Sequence, residues 1–238
     1  MSGVNLLHLH IPKTAGTSLR SAFAHSKHNV LQVKPDFVYD PQRHADVDLF
    51  SGHVGFRVVE ASPALRDRVV TILRDPYDRV VSYYYHLAKL NADGIERSAR
   101  TNLAAKYPLH EFLAIKDHPH LVNDLYNAVT WQLAWDSDLQ SRMSYRQQHA
   151  AFSESELVER AEASLRTFLV VGIQTRMSEF AARLKRATGF AERLPLENAN
   201  PARAALSTVD AETRRRARPW IEMDIEVYEW ALAHLDRA

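Results

Sequence analysis

A lysine and three hydroxyl side chains stand where an apolar run gives way to the start of a helix. The stretch reads Pro12-Lys13-Thr14-Ala15-Gly16-Thr17-Ser18. Residues 6–11 are mostly apolar and predict a buried strand, which Pro12 ends. Gly16 permits a close approach of the backbone to a ligand, and Thr17 and Ser18 open the helix. Because a helix start offers unpaired N–H groups and the positive end of the helix dipole, the stretch predicts a phosphate or sulfate cradle to which Lys13 adds a full charge.

The order of residues separates this cradle from the Walker A loop of nucleoside-triphosphate enzymes. That loop reads G-x-x-x-x-G-K-[ST], with its lysine after the second glycine. Here Lys13 precedes Gly16, the only glycine of the stretch. An ordinary connection between strand and helix with a surface lysine is the alternative interpretation.

A second charged stretch follows another buried strand. Val69–Leu73 is apolar or β-branched throughout, which is typical of a central parallel strand covered on both faces. Asp75 as N-cap and Pro76 at the first helical position predict a helix that runs to about Lys89. Arg74 then lies at the carboxyl end of the strand, where open α/β sheets bind ligands. It shares a rim with the cradle lysine if the two strands are neighbours.

The remaining residues alternate between predicted helices and strands. The predicted elements are a first helix carrying Leu19 and Phe23, a short strand after Val30, a short strand over Asp48–Phe56 with His53 at its end, an interrupted helical region over 90–149, a helix from Ser153 to about Leu165, a strand over Phe168–Ile173, a helix over Met177–Leu184 closed by Gly189, a loop over Leu194–Ser207, and a last helix from Pro219 to about Leu235 packed on the sheet. This alternation predicts a three-layer α/β/α sandwich with a mostly parallel central sheet.

Composition narrows the classes of protein that need consideration. With 238 residues and 46% hydrophobic residues, the chain is long enough for one large α/β core, so we expect a single domain over residues 1–238. Its 30 basic and 29 acidic side chains argue against a surface built for nucleic acid. No cysteine is present, which excludes disulfides and thiolate metal sites, and no metal is implied. The first predicted strand begins close to Met1 and no apolar run reaches membrane-spanning length, so we expect a cytoplasmic protein without a membrane segment.

Both charged stretches resemble segments of the sulfotransferases that use 3′-phosphoadenosine-5′-phosphosulfate (PAPS). The first is similar, over Pro12–Ser18, to the loop P-K-[TS]-[AG]-[GS]-T-[ST] that holds the 5′-phosphosulfate. The second is similar, from Arg74 to Tyr84, to the segment R-[DN]-P-x-x-R-x-x-S-x-Y, whose first arginine and whose serine bind the 3′-phosphate. The resemblance implies a P-loop-like sulfotransferase fold. It also implies PAPS binding by residues 13–18, by Arg74 and by Ser82, which is the serine of the second segment.

Within this family the motifs are most similar to the carbohydrate branch that includes the heparan sulfate and uronyl 2-O-sulfotransferases. Ser51–Val54 resembles the G-H-V segment of that branch, whose histidine is the catalytic base, so His53 is implied in that role. Lys13 is implied as the group that stabilises charge on the leaving phosphate. The Golgi relatives carry a membrane anchor and cysteines that this chain lacks, which favours a soluble enzyme of bacterial type. The segment 198–218 stands where the family closes over the nucleotide.

The resemblance implies transfer of a sulfuryl group from PAPS to an acceptor hydroxyl, with release of adenosine 3′,5′-bisphosphate (PAP). A carbohydrate and a small-molecule alcohol are both open as acceptors. A kinase-like phosphotransferase is an alternative, but it requires a Gly-Lys-Ser/Thr loop and acidic magnesium ligands. A non-catalytic PAPS- or PAP-binding module is another, and it would need Lys13, Arg74 and Ser82 but not His53. An arginine cluster at 214–218 is open to two interpretations, contact with an anionic ligand or a solvated helix face.

Overall fold

The architecture is described from a computed structural model for residues 5–115, 118–135, 152–190, 194 and 209–235. Its strands are β1 (Leu6–Leu9), β2 (Val30–Gln32), β3 (Leu49–Gly52), β4 (Val69–Leu73) and β5 (Val170–Ile173). Its α-helices are α1 (Gly16–His25), α2 (Phe56–Ala61), α3 (Pro76–Ala92), α4 (Ala99–Lys106), α5 (Leu109–Phe112), α6 (Pro119–Leu125), α7 (Ala128–Ala134), α8 (Glu154–Thr167), α9 (Met177–Thr188) and α10 (Ala211–His234).

The five strands form one sheet in the order β2-β3-β1-β4-β5, and every neighbouring pair is parallel. β1 lies between β3 and β4, with Leu7 opposite Phe50 on one side and Val69 on the other. After β1 the chain crosses to the β2 side of the sheet, whereas after β4 it crosses to the β5 side. The carboxyl ends of β1 and β4 therefore form a topological switch point, which is where α/β sheets of this kind bind ligands.

Helices cover both faces of the sheet because side chains alternate along each strand. One face carries Leu6, Val70 and Ile72, which pack against apolar residues of α1 and α9. The opposite face carries Leu7, Leu9 and Phe50, whose partners lie on α2, α7, α8 and α10. The prediction of a three-layer α/β/α sandwich with a parallel sheet is confirmed.

A second helical cluster lies beside the sandwich. It is formed by residues of α3, α4, α5, α6 and the first half of α10, with Tyr83, Phe112 and Trp220 among its buried side chains. The indole N–H of Trp220 donates to the carbonyl of Leu113 at 2.9 Å. Of the region predicted as interrupted helices, α4, α5 and α6 share this second core, whereas α7 packs on the sheet.

The last helix differs from the prediction at its start. α10 begins at Ala211, eight residues before Pro219, because the Asp210 carboxylate accepts from the N–H of Thr213 at 2.6 Å and caps an earlier turn. Pro219 lies inside the helix, and Ile221 has a non-helical φ of −138° where the helix kinks. α10 packs against α3, α7 and α8, and its residues Met223, Val227 and Ala231 join the core on one face of the sheet, as predicted. The loop predicted over 194–207 lies outside the described residues except for its first residue.

Candidate functional site

The cradle is a tight turn between β1 and α1 that places two non-glycine residues in the left-handed region. Lys13 has a φ of 70° and Ala15 a φ of 73°. Such a conformation is uncommon for residues with a side chain and needs support from its surroundings. Thr14 supplies part of that support, since it is fully buried and its hydroxyl donates to the carbonyl of Ile11 at 2.8 Å. The Thr14 side chain therefore shapes the turn, and its hydroxyl is engaged within the protein.

The amino end of α1 has no side-chain cap. Ala15 at the N-cap position makes no side-chain hydrogen bond, and the first turn contains no acidic residue. Gly16 and Thr17 come first in the helix, so their N–H groups have no intrahelical acceptor, whereas the N–H of Ser18 donates to the carbonyl of Ala15 at 3.1 Å. The positive end of this helix is thus available to an anion.

Gly16 is required for a reason that the sequence did not reveal. A Cβ atom at this position would lie 2.0 Å from the Cδ2 atom of His10, far inside van der Waals contact. From the sequence, the glycine at position 16 was explained by the close approach of a ligand to the backbone. In the structure it accommodates the imidazole ring of His10, which packs against the start of α1.

Arg74 joins the two charged stretches. It follows β4 and is 8% exposed, and its Nη1 donates to the carbonyl of Lys13 at 2.7 Å. Its Nε donates to the Asp78 carboxylate at 2.6 Å. Its Nη2 is buried and has no hydrogen-bond partner among the described residues. Burial lowers the pKa of Arg74 to about 10, so the side chain is a cation at neutral pH. The expectation that both stretches share one rim is confirmed.

Ser82 lies on the helix that follows Arg74. It is 9% exposed and stands one helical turn after Asp78, on the same face of α3. His86 stands one further turn along that face. Burial, and then the charge of Lys13, lower the pKa of His86 to about 4, so this histidine lies within electrostatic reach of the cradle. The sequence analysis missed His86, although its spacing from Ser82 was a usable signal.

His53 follows β3, and part of the residue is exposed to solvent. Its Nδ1 lies 2.9 Å from the carbonyl oxygen of His10 and must carry the proton, because a carbonyl only accepts. The neutral ring therefore has its lone pair on Nε2. Loss of water around the ring lowers the pKa of His53, while the bond to the His10 carbonyl raises it, and lowering prevails. His53 is accordingly a neutral imidazole at pH 7 that can accept a proton.

Two further histidines stack behind His53. The rings of His10 and His53 are 4.3 Å apart, and those of His8 and His10 are 5.0 Å apart. Burial lowers the pKa of His8 to about 3 and strongly lowers that of His10, so both rings stay neutral. The positive charge of Arg20, on α1, contributes to the lowering at all three histidines. Neither His8 nor Arg20 was singled out from the sequence.

A buried polar cluster supports the helices around the site. Arg79 is 1% exposed, its Nη2 lies 3.7 Å from the Asp224 carboxylate, and its Nη1 donates to the carbonyl of Asp124 at 3.3 Å. The hydroxyl of Tyr83 donates to the Asp124 carboxylate, which also accepts from Arg100 at 3.0 Å. Arg79 belongs to the same R-D-P-x-x-R pattern as Arg74, yet it lies inside the fold and connects α3 to α6 and α10.

The arginine cluster near the start of α10 is engaged locally. Arg215 and Arg216 both pair with Glu212 at 2.6 Å, and Arg218 pairs with Glu222 at 3.4 Å. The guanidinium of Arg214 lies 5.3 Å from the centre of the Tyr77 ring. The local pairs favour a solvated helix face for Arg215, Arg216 and Arg218. Arg214 instead lies over Tyr77 of α3, and its charge acts to lower the pKa of Asp75, next to Arg74. Residues 198–208 of the segment expected to close over the nucleotide lie outside the described residues, and 211–218 are helix.

Neither a metal centre nor a membrane-spanning helix is present in the described parts of the chain. No cluster of His, Asp and Glu residues there is arranged to hold a metal ion. None of the helices described there is both long and apolar enough to cross a bilayer.

The fold and the site define an α/β protein with two charged stretches at the switch point of a parallel sheet. The sequence profile described as "Sulfotransferase family" matches residues 3–231, which is nearly the whole chain. The chain therefore belongs to the sulfotransferase family, whose members are transferases of sulfuryl groups. No curated protein matches the sequence.

Proposed function

We propose that the protein is an O-sulfotransferase that uses PAPS as co-substrate and releases PAP. The observation that carries the proposal is the Nη2 atom of Arg74, a buried guanidinium donor with no partner among the described residues, one residue beyond β4 and bonded through Nη1 to the cradle. A buried cationic donor in this condition is costly unless an acceptor reaches it. The 3′-phosphate of PAPS is such an acceptor.

The residues present fit both charged groups of PAPS. The uncapped start of α1 and the Lys13 ammonium suit the 5′-phosphosulfate, with backbone N–H groups from Thr14, Ala15, Gly16 and Thr17 and the Ser18 hydroxyl as the candidate donors. Arg74 and the Ser82 hydroxyl suit the 3′-phosphate. When bound, PAPS supplies a sulfuryl group and a good leaving group, the 5′-phosphate.

His53 is proposed as the general base. Its Nε2 lone pair accepts the proton of the acceptor hydroxyl, and the His10 carbonyl bond to Nδ1 holds the ring and stabilises the imidazolium that forms. Lys13 is proposed to stabilise the charge that grows on the leaving oxygen, an effect stronger in the transition state than in the ground state.

The proposal extends to the acceptor and to the extent of the domain. A hydroxyl of a carbohydrate or a small-molecule alcohol is the proposed acceptor, because His53 is exposed beside the cradle. We further propose that residues 1–238 form one sulfotransferase domain, which the family match over residues 3–231 supports. Neither a metal, nor a nucleic acid, nor a membrane is part of this proposal.

The kinase-like alternative is disfavoured at the end of β4. An acidic magnesium ligand would be expected there, but Arg74 stands first and the carboxylate of Asp75 accepts from the N–H of Asp78 at 2.9 Å as a helix cap. A magnesium-bound triphosphate would meet a cation at this place instead of a ligand.

Calorimetric titration with PAP, ADP and ATP with magnesium tests the donor. We expect PAP to bind much more tightly than ADP, because only PAP carries the 3′-phosphate. Tighter binding of ATP with magnesium would refute the proposal in favour of a phosphotransferase. A screen of carbohydrate and alcohol acceptors with labelled PAPS then tests catalysis, and tight PAP binding without transfer to any of them would favour the binding module.

A further inference from the structure

Gln132 is a buried amide that holds two carbonyl groups at the end of the sheet. It lies on α7 and is fully buried. Its Nε2 donates to the carbonyl of His10 at 3.0 Å and to the carbonyl of Val54 at 2.8 Å. Because both partners can only accept, the nitrogen end of the amide must face them. One side chain thus fixes the backbone at the ends of β1 and β3.

Both carbonyls belong to the immediate surroundings of His53. The His10 carbonyl accepts from Nδ1 of His53 at 2.9 Å, and Val54 is the next residue along the chain. Gln132 therefore holds the acceptor that selects the His53 tautomer and also the backbone from which His53 projects.

We propose that Gln132 is the positioning residue of the catalytic base: by holding the carbonyls of His10 and Val54 it keeps the proton of His53 on Nδ1 and the lone pair on Nε2. The inference rests on the proposed function in that His53 is taken as the base. In water the histidine ring prefers the opposite neutral tautomer, with the proton on Nε2, which cannot accept a proton there. A base that acts through Nε2 therefore needs a fixed acceptor at Nδ1.

Two observations show that the position of Gln132 is specific. Its Oε1 is buried without a hydrogen-bond partner among the described residues, which is unfavourable for a polar atom. The amide keeps this orientation because it allows Nε2 to donate both of its hydrogen bonds. The helix itself is held in place, since the N–H and hydroxyl of Thr130 both donate to the Asp224 carboxylate at 2.8 Å. Gln132 thus acts from a rigid element, as positioning of a reacting group requires.

The test replaces Gln132 by Met, which has similar length but no donor. Thr130→Val is the matched control, because it removes a buried hydrogen bond from the same helix but makes no contact with His10 or Val54. Nuclear magnetic resonance of isotope-labelled histidine ring nitrogens reports the tautomer, and the signal missing in His53→Ala identifies His53. Gln132→Leu, which also has no hydrogen-bond donor, replaces Gln132→Met if that variant does not fold.

We expect His53 to be protonated on Nδ1 in the natural protein and to shift towards Nε2 protonation in Gln132→Met. With the donor and an acceptor, kcat should fall about 10- to 100-fold while the affinity for PAP changes less than about threefold. An unchanged tautomer in the folded variant, the same shift in Thr130→Val, or a shift that leaves kcat intact would each overturn the proposal. If the natural protein neither binds PAP nor transfers sulfate, the proposed function fails, and the tautomer measurement still decides whether Gln132 orders His53.

Discussion

Arg74→Ala is the substitution that separates a site for a 3′-phosphate from a general attraction for anions. It removes the guanidinium that bonds to the cradle and whose Nη2 lacks a partner among the described residues. A hydrogen bond that involves a charged group contributes about 1.5–3 kcal/mol. Loss of about 2–3 kcal/mol corresponds to about 30- to 150-fold weaker binding, at about 1.4 kcal/mol for each tenfold change.

The informative quantity is the preference for PAP over AMP, which lacks the 3′-phosphate. In calorimetry, we expect the natural protein to bind PAP at least about 30-fold more tightly than AMP. Arg74→Ala should bind the two nucleotides about equally. Arg66→Ala is the matched control, because it also removes one positive charge but lies exposed before β4, at the other end of the strand. Its preference should not change.

Stability has to be measured beside affinity, since Arg74 also partners the buried Asp78 carboxylate. Removing one member of a buried ion pair costs about 3–5 kcal/mol, so the melting temperature of Arg74→Ala should fall. Arg74→Lys retains a cation near Asp78 but loses the planar fork, and an intermediate preference is expected. A folded Arg74→Ala that still prefers PAP by the natural factor would refute this assignment of the 3′-phosphate site.

Four further changes test the site and its support. His53→Ala should lower kcat at least about 100-fold and leave the Kd for PAP nearly unchanged; comparable turnover would place the base elsewhere. Burial holds the pKa of His8 at about 3, below the unfolded value near 6.5, so protonation favours the unfolded chain. The free energy of unfolding should therefore fall as the pH drops below about 6.5, by about 2 kcal/mol at pH 5 from this residue. In urea denaturation, His8→Asn should make this dependence on pH less steep. Gly16→Ala should cost about 1–3 kcal/mol by overpacking, and His10→Ala should relieve that cost in the double variant if the ring contact is its cause. Arg79→Met should destabilise by about 3–5 kcal/mol in thermal unfolding, and a small effect would contradict a structural role for the buried ion pair.

The sheet and its charged rim could be predicted because local patterns determine them. Val69–Leu73 is apolar on both faces, and Asp75 with Pro76 marks the next helix start, so Arg74 had to stand at a strand end. Parallel strands end at one edge, and the pairing of β1 with β4 completes the rim. The strand order itself is set by long-range packing, which no local pattern reports.

The sequence-based predictions were wrong or incomplete where a side chain outside the pattern used for the prediction decides a local feature. A proline often marks the first turn of a helix, and Pro219 was predicted to start the last one. In the structure Asp210 caps an earlier turn, and the helix continues past Pro219 with a kink. Gly16 was correctly placed in the cradle for an incomplete reason, because the ring that fills its missing Cβ belongs to His10. Gln132 lies far along the chain from His53, and its two carbonyl partners are backbone atoms that leave no trace in side-chain spacing.

His10 connects the two halves of the site. Its ring packs on Gly16 at the start of α1, and its carbonyl accepts from both His53 and Gln132. A shift of this one residue would move the anion cradle and the proposed base together. Its ring is buried and neutral, so no second positive charge there repels Lys13. Donor binding and proton acceptance are therefore expected to be coupled through His10 itself, so His10→Ala should impair both. Gln132→Met should impair turnover first, whereas Arg74→Ala should impair nucleotide binding first.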